Sequence, residues 1–555
     1  MKKKKSLLAL IGRVTLVLAL SISVMQCAPA EEIQYGGRLN IGFTQPLTSL
    51  AQIPGITYTN WGSLFDILVY DTLAHFNLPP DYYKFNPRLV QSYEISEDGK
   101  TWTLHLVKNA RWHDGKPVTA EDVKFTCEYL ISTPGWADVD VCFDHIEIID
   151  DYTLKIVNTR ALARTNAPGW WCWDPIIPKH IFEPYKNDIA SYPNKEAIGS
   201  GPFKLKEFKP EQYMWLVANK DYWGGRPYLD EVVFRYYSSM DTLLMALKSG
   251  EIDVIADVPV PPTSISDLEA NPDIKVEIVS DLTLYWLSYN LHKDTPLQDK
   301  NVRKAIQYGV NRDRIVDMVF MGYAKKYDSW VYEEDPMHNP NLPQYDYNPD
   351  KANKILDEAG YIDTDGDGIR EDPATGKDLA FELLTPSDVH RVKMAKLIRE
   401  DLPKIGISVN IATVDWDTFY ATIYHPQEDK YEIAVSREDP APSPYGDWIW
   451  LEAKGWGASG DGTEWNSSYW NNPRFNKLCD LLTAAQSMEE RREYVYEMQE
   501  LMAEELPYGF LVRPQFISAY RIDKFEGWKN EVGGPVSWMN PWSILNLHLK
   551  GATKK

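Results

Sequence analysis

Residues Ser96 to Phe125 read SEDGKTWTLHLVKNARWHDGKPVTAEDVKF, and the change of rhythm inside this stretch decides the fold class. Ser96-Glu97-Asp98-Gly99-Lys100 is a polar turn. Trp102-Thr103-Leu104-His105-Leu106 then alternates apolar and polar residues, the two-residue period of a half-buried strand that should end near Asn109. At Val118-Thr119-Ala120-Glu121-Asp122-Val123 the pattern changes to a helix start. Thr119 can cap, Asp122 stands at the third helical position as the reciprocal acid, and Val118 with Val123 can close a hydrophobic staple. The spacing predicts a helix to about Leu130.

The same alternation of strand and helix continues outward in both directions. Leu39-Asn40-Ile41-Gly42-Phe43 is a short strand, and Asp241 to Ser249 is a helix that stops at Gly250 before Ile252-Asp253-Val254 extends again. Asn301 to Phe320 places Val302, Ile306 and Val310 four apart, with a restart around Arg312. Asp350 to Ala359 stops at Gly360, and Arg391 to Leu402 and Ser487 to Glu505 complete the long helices. This is a mixed α/β protein rather than a barrel or a bundle. At about 100–200 residues per domain, its length implies about three domains or two large ones.

The first residues read as a secretion signal rather than as structure. Lys2 to Lys5 form a positive start, Ser6 to Val24 is largely apolar, and Cys27 follows. The uncharged run from Val14 to Gln26 is 13 residues, short of the ~20 that a spanning helix needs. Val24-Met25-Gln26-Cys27 resembles a bacterial lipobox with Cys27 as the lipidated residue, although Gln26 stands where a small residue is usual; Ala28-Pro29-Ala30 offers an ordinary cleavage site instead. Both readings place the mature chain outside the cytoplasm. Beyond Cys27 the chain carries 80 acidic against 53 basic groups, a formal charge of −27, and has no basic stripe, which excludes a nucleic-acid partner. Cys127, Cys142, Cys172 and Cys479 remain without a CxxC; of their possible pairings, Cys127 with Cys142 closes the shortest loop.

The Ser96–Phe125 stretch resembles the signature of extracytoplasmic solute-binding proteins, family 5, which serve ABC importers of oligopeptides, dipeptides, nickel and some oligosaccharides. Gly199-Ser200-Gly201-Pro202-Phe203, Leu287 to Arg314 (LSYNLHKDTPLQDKNVRKAIQYGVNRDR), Asn466 to Leu481 and Pro507-Tyr508-Gly509-Phe510 follow in family order. The resemblance implies an enlarged class II periplasmic-binding-protein fold of three lobes, with the ligand cleft between lobes I and III and a two-segment hinge. Lobe I would take residues 33–70, 196–284 and 510–550, lobe II 71–195 and lobe III 285–509. Trp286, Ser288 and Asn290 would share one face of the first crossing strand and belong to the hinge. A ligand touching both lobes only when they close would favour the closed state, the form the permease reads.

The resemblance also nominates ligand contacts. Trp416, in VDWDTFY, matches a pocket-lining Trp of the peptide binders, and AVSREDPAPSPYGDWIW matches the region whose Asp pairs with a peptide's α-amino group. Here that pattern is rebuilt: Glu438 stands near the expected Trp, Asp439 arrives early, and Pro440, Pro442 and Pro444 stiffen the loop. A buried ammonium needs a well-placed counter-charge. Either Asp439 or Glu438 substitutes for the missing anchor, or the ligand is neutral and hydroxyl-rich. In the second case Arg437, Glu438 and Asp439 would supply hydrogen bonds, and Trp61, Trp416 and Trp448 the stacking platforms. With 20 Trp in the chain, the expectation leans to an oligosaccharide, with an oligopeptide as the alternative.

Other patterns carry less. Asp363, Asp365, Asp367 and Glu371, with Gly368, occupy positions 1, 3, 5, 9 and 6 of an EF-hand calcium loop, but position 12 is Ala374. Any calcium there would be structural, and no other cofactor is expected. Gly455-Trp456-Gly457-Ala458-Ser459-Gly460 spells GxGxxG without the leading strand or following helix that a phosphate cradle needs. GxSxG, HExxH and P-loop patterns are absent, and the ten His lack the clustering a nickel site would need. A secreted glycoside hydrolase would need two facing carboxylates, and no acid pair has that context. The resemblance therefore implies a non-enzymatic, monomeric binding protein, in the periplasm or lipid-tethered at the membrane, that would serve ABC permease subunits.

Overall fold

The computed structural model describes residues 35–50, 60–75, 84–132, 143–161, 171, 174–281, 283–424, 431–438, 466–482, 484–531, 533–537, 540 and 542–550. Cys27, Cys142, Cys172, Asp439 and Trp448 lie outside these residues, as do the secretion segment and the GxGxxG pattern.

A hydrogen-bonded system of twelve strands falls into two halves. In the first, Arg38–Phe43 runs parallel to Glu231–Tyr236 and to Val254–Ile255, and the hairpin of Phe203–Lys209 with Tyr213–Ala218 extends the edge. In the second, Leu284–Tyr289 pairs with Ile433–Glu438, which lies parallel to Ala380–Pro386, itself parallel to Ser408–Val414. One 14-residue strand, Tyr508–Arg521, belongs to both. Its beginning pairs with Leu284–Tyr289 and its end with Ile274–Ser280. The chain thus crosses between the halves at two adjacent places, around Asp281–Thr283 and around Arg513–Pro514.

Each half has its own core. Leu39, Ile41, Phe65, Val232, Phe234 and Ile544 pack in the first; Leu287, Val302, Ile306, Leu383, Ile398 and Leu511 pack on one face of the second. Phe510, Leu511 and Val512 sit in the cores of the second half. The expected boundary at residue 510 therefore falls inside a continuously paired strand, a few residues before the chain crosses. Helix ends follow local chemistry. Met240–Ser249 is capped by Ser239 and stopped by Gly250 at φ +78°; Arg312–Phe320 restarts under Asn311; Met488–Glu505 starts under Ser487.

A separate antiparallel sheet orders Val90–Ile95, Thr101–Leu106, Thr153–Asn158 and Phe143–Asp150. Trp102 is fully buried there, stacked on Tyr93 and edge-on to Trp171. The adjoining helix, Ala120–Ser132, begins as its sequence predicts, with Asp122 Oδ2 accepting from the Thr119 amide at 2.9 Å. Cys127 is a buried free thiol in this core, so the expected Cys127–Cys142 pairing is not formed: its neighbours are apolar side chains.

Two contacts lock this sheet to the first half. Asp71, fully buried, accepts from Arg88 (2.9 Å), the Tyr222 hydroxyl (3.0 Å) and the Trp223 indole (2.7 Å). At the second contact, His113 meets the turn Gly199-Ser200-Gly201, whose backbone itself presses on Val69 within the first half: a Cβ on Gly199 would lie 1.9 Å from the Val69 carbonyl oxygen. Only glycine fits so close an approach. His113 braces it, accepting from the Gly199 amide at Nδ1 and donating from Nε2 to the Gly201 carbonyl at 3.1 Å.

Candidate functional site

Strand direction locates the site. Ile433–Glu438 is antiparallel to Leu284–Tyr289, with Leu284 opposite Glu438, so the carboxyl ends of Ile433–Glu438, Ala380–Pro386 and Ser408–Val414 all point toward the crossing. In the first half, Val254 lies opposite Tyr520 and Ser280 opposite Gln515, so the carboxyl ends of Arg38–Phe43, Glu231–Tyr236 and Val254–Ile255 point toward the same crossing. Both halves therefore present the carboxyl edges of parallel strands to one crevice, the usual place for a ligand in open α/β sheets.

On the second half this edge carries Trp416, Arg391 and Arg437. Trp416 opens the helix Trp416–Tyr424 directly after the strand Ser408–Val414, is 50% exposed, and stacks on Phe419. Asp415 holds the turn, accepting from the Thr418 amide at 3.0 Å. Beneath the indole lies the Arg391 guanidinium, 5.1 Å from the ring centroid and bonded through Nε to Asp388, the cap of helix Val389–Asp401. Arg391 Nη1 is buried without a hydrogen-bond partner among the described residues. An exposed aromatic face over a buried cation offers a ligand stacking on one side and an anion-accepting donor beside it. Arg437, at the end of its strand, is exposed and reaches Thr283 at 3.4 Å, on the crossing itself. Glu438 ends the same strand. Trp61 lies in the helix Asn60–Val69 of the first half. The structure does not describe the side chains of Glu438 and Trp61.

Trp286, Ser288 and Asn290 do share a face, as expected, but they sit beyond the crossing, inside the second half. Trp286 is buried against Trp330 with ring centroids 4.4 Å apart, and its indole donates to Ser288 Oγ at 2.9 Å. Ser288 meets Ser436 and Ser467, and Asn290 donates to the Tyr431 carbonyl. All six residues of Leu284–Tyr289 are buried, so Trp286 and Ser288 belong to the packed interior of the second half. The crossing is held instead by Glu334 and Arg513, which no sequence pattern singles out because their partners are far away in the chain. The helix that carries Arg391 was legible; its cap Asp388 was not singled out, although an Asp ahead of a helical run is an N-cap signal.

Among the acids of the calcium-like loop, carboxylate oxygens of Asp363, Asp365 and Glu371 lie within 4.8 Å of one another. Asp367 is not among them and accepts from the Ile369 amide at 2.7 Å, while both Asp363 oxygens accept from the Gly366 and Gly368 amides. The pKa of Asp378 is raised by desolvation and by the charges of Asp367, Asp365 and Glu371, which makes it a neighbour of the cluster. These residues could hold a cation; their loop precedes the amino end of Ala380–Pro386, the end of that strand opposite the crevice edge. Among the described residues no helix is long and apolar enough to cross a membrane.

The family model for bacterial extracellular solute-binding proteins, family 5 (middle), matches residues 84–457. The oligopeptide-binding protein AppA of Bacillus subtilis (strain 168) is 28% identical over 560 aligned positions, covering 95% of this chain and 97% of that protein. The dipeptide-binding protein of Escherichia coli (strain K12) is 26% identical, over 76% of this chain and 79% of that protein. The structure of Bacillus subtilis AppA in complex with a nonapeptide superposes with a TM-score of 0.73 at 25% identity, over 94% of this chain and 100% of that one. With a matching signature, a shared fold and near-complete coverage, this chain belongs to the bacterial extracellular solute-binding proteins, family 5, the extracytoplasmic binding subunits of ABC importers.

Proposed function

We propose that the chain captures peptides and hands them to the permease of a peptide importer. The observation that carries this reading is similarity along nearly the whole chain to proteins named as oligopeptide- and dipeptide-binding. The lean to an oligosaccharide rested on Trp content and on the rebuilt loop at 438–444. Much of the Trp content is spent in cores, as with Trp102, Trp112, Trp171 and Trp286, and the relatives support the peptide alternative instead. Trp416 over Arg391 suits a peptide, whose side chains stack and whose carboxylates accept from guanidinium.

Closure of the two halves about the paired crossings would trap the ligand, since a ligand that touches both edges binds only the closed state. Cleavage of the signal segment and lipidation of Cys27 would tether a monomer at the membrane beside its permease. The test is a thermal-shift screen of the chain from Glu31 onward against panels of free peptides and of oligosaccharides. At 100 times its dissociation constant a true ligand stabilises by about 2.7 kcal/mol. Stabilisation by peptides alone supports the reading; stabilisation by sugars alone overturns it.

A further inference from the structure

At the edge of the first half, one acid has a carboxylate oxygen without a partner among the described residues. Asp257 follows the strand Val254–Ile255, where the Ala256 amide makes the last bond to its neighbour strand, at Gly42. The chain leaves the sheet at Asp257 and returns at Val260, whose amide donates to the Ile517 carbonyl at 2.9 Å. This excursion lies on the carboxyl edge that faces the crossing. Asp257 Oδ2 is buried without a hydrogen-bond partner among the described residues. Asp253, four residues earlier and also buried, is by contrast saturated by the Asn40 amide, the Asn40 side chain and Lys524.

Backbone geometry does not account for the charge. Asp257 has φ +62°, a left-handed conformation that Asn or Gly adopts without a carboxylate to desolvate. An acid where an amide would serve the turn, just past the carboxyl end of its strand and with an orphan oxygen, suggests a counter-charge that arrives with the ligand.

We infer that Asp257 is a ligand-contacting acid that receives a cationic nitrogen group of the bound peptide, its α-ammonium or a basic side chain. The inference rests on the peptide reading above and adds an anchor on the half-sheet opposite Trp416. Burial alone pushes the Asp257 carboxyl up to about 8, with no charged neighbour contributing. The empty protein thus holds it largely protonated at pH 7, and pairing with a cation requires the ionised form. Binding a cationic ligand therefore releases up to one proton at pH 7 and none above about pH 9.

The experiment is calorimetry at pH 7 in two buffers of different ionisation enthalpy, which counts protons released. Alanine-based peptides of matched length are used: one with a free N-terminus, one N-acetylated with a central lysine, and one N-acetylated and uncharged at that end. Asp257→Asn keeps the left-handed turn and removes the charge; Asp257→Gly repeats the test should the first variant fold poorly. The expected result is proton release by the wild type with whichever peptide carries the contacted cation. That release is lost in both variants together with about tenfold or more in affinity, while the uncharged peptide is unaffected. The arm that responds identifies the source of the cation. Equal affinity and equal proton release in wild type and variants overturn the inference and leave the peptide reading standing. A change confined to thermal stability overturns it too, making Asp257 a turn residue. Failure of every peptide to bind the wild type overturns both.

Discussion

The carboxylate of Glu334 lies 2.9 Å from the guanidinium of Arg513, and this pair ties together the two crossings between the half-sheets. Glu334 also accepts from Ser280 Oγ on the first crossing, while Arg513, on the second, donates through Nε to the Asp281 carbonyl at 2.7 Å and lies over the Tyr332 ring. Burial by itself would raise the Glu334 carboxyl, but the Arg513 charge and the bonds from Ser280 and Arg513 outweigh it and hold it at about 2. A group depressed in the folded state stabilises above its unfolded value and loses that contribution as pH falls through the folded value. The melting temperature of the wild type should therefore fall relative to Glu334→Gln between about pH 4.5 and pH 2, with the difference constant above that window. A difference that does not change across it would remove the pair's role.

His113 sets a different window. Burial lowers its pKa to about 4, against weaker support for the charged form from the Gly201 carbonyl, so the folded protein holds it neutral. The unfolded chain takes up a proton near pH 6.5 and the folded one does not, so stability is full above 6.5 and is lost as pH falls toward 4. The loss reaches roughly 3 kcal/mol at most. Replacing His113 by Gln should flatten the melting temperature over this range, which a pH series of thermal melts would show.

Gly199→Ala should be among the most damaging single-methyl changes in the chain. Its Cβ meets the Val69 backbone, which cannot rotate away as a side chain would. Overpacking costs typically 1–3 kcal/mol, and a backbone clash belongs at the upper end, about 3 kcal/mol. Gly115→Ala is a useful comparison, because a Cβ there meets nothing within 4 Å, although its φ of +92° carries its own strain. Denaturant unfolding of the two variants should rank Gly199→Ala well below Gly115→Ala.

Trp416→Ala separates binding from folding. Half of the ring is already in water, so its removal should change stability by less than about 1 kcal/mol. Loss of a stacking surface at the crevice should weaken peptide binding about tenfold or more, read by calorimetry on the wild type and the variant. Unchanged affinity would place the ligand elsewhere along the edge.

The sequence by itself determined what depends on neighbours a few residues apart. The Thr119–Asp122 start, the stop at Gly250, the restart near Arg312 and the Ser487 cap were legible because caps and periodicity act within one or two turns. The motif order also determined the family. Tertiary structure alone decided register and burial. Trp286 was expected at the hinge and Trp416 at the ligand, and sequence did not give the burial of either: one is packed against Trp330 and the other is half in water, since a ring's fate depends on which strand lies opposite. The Glu334–Arg513 tie joins residues 179 apart in sequence, and that Asp257 Oδ2 has no partner among the described residues is visible only in the folded chain. Local chemistry writes helices and turns into the chain, whereas the partners of a buried charge are chosen by long-range strand pairing, for which sequence spacing carries no signal.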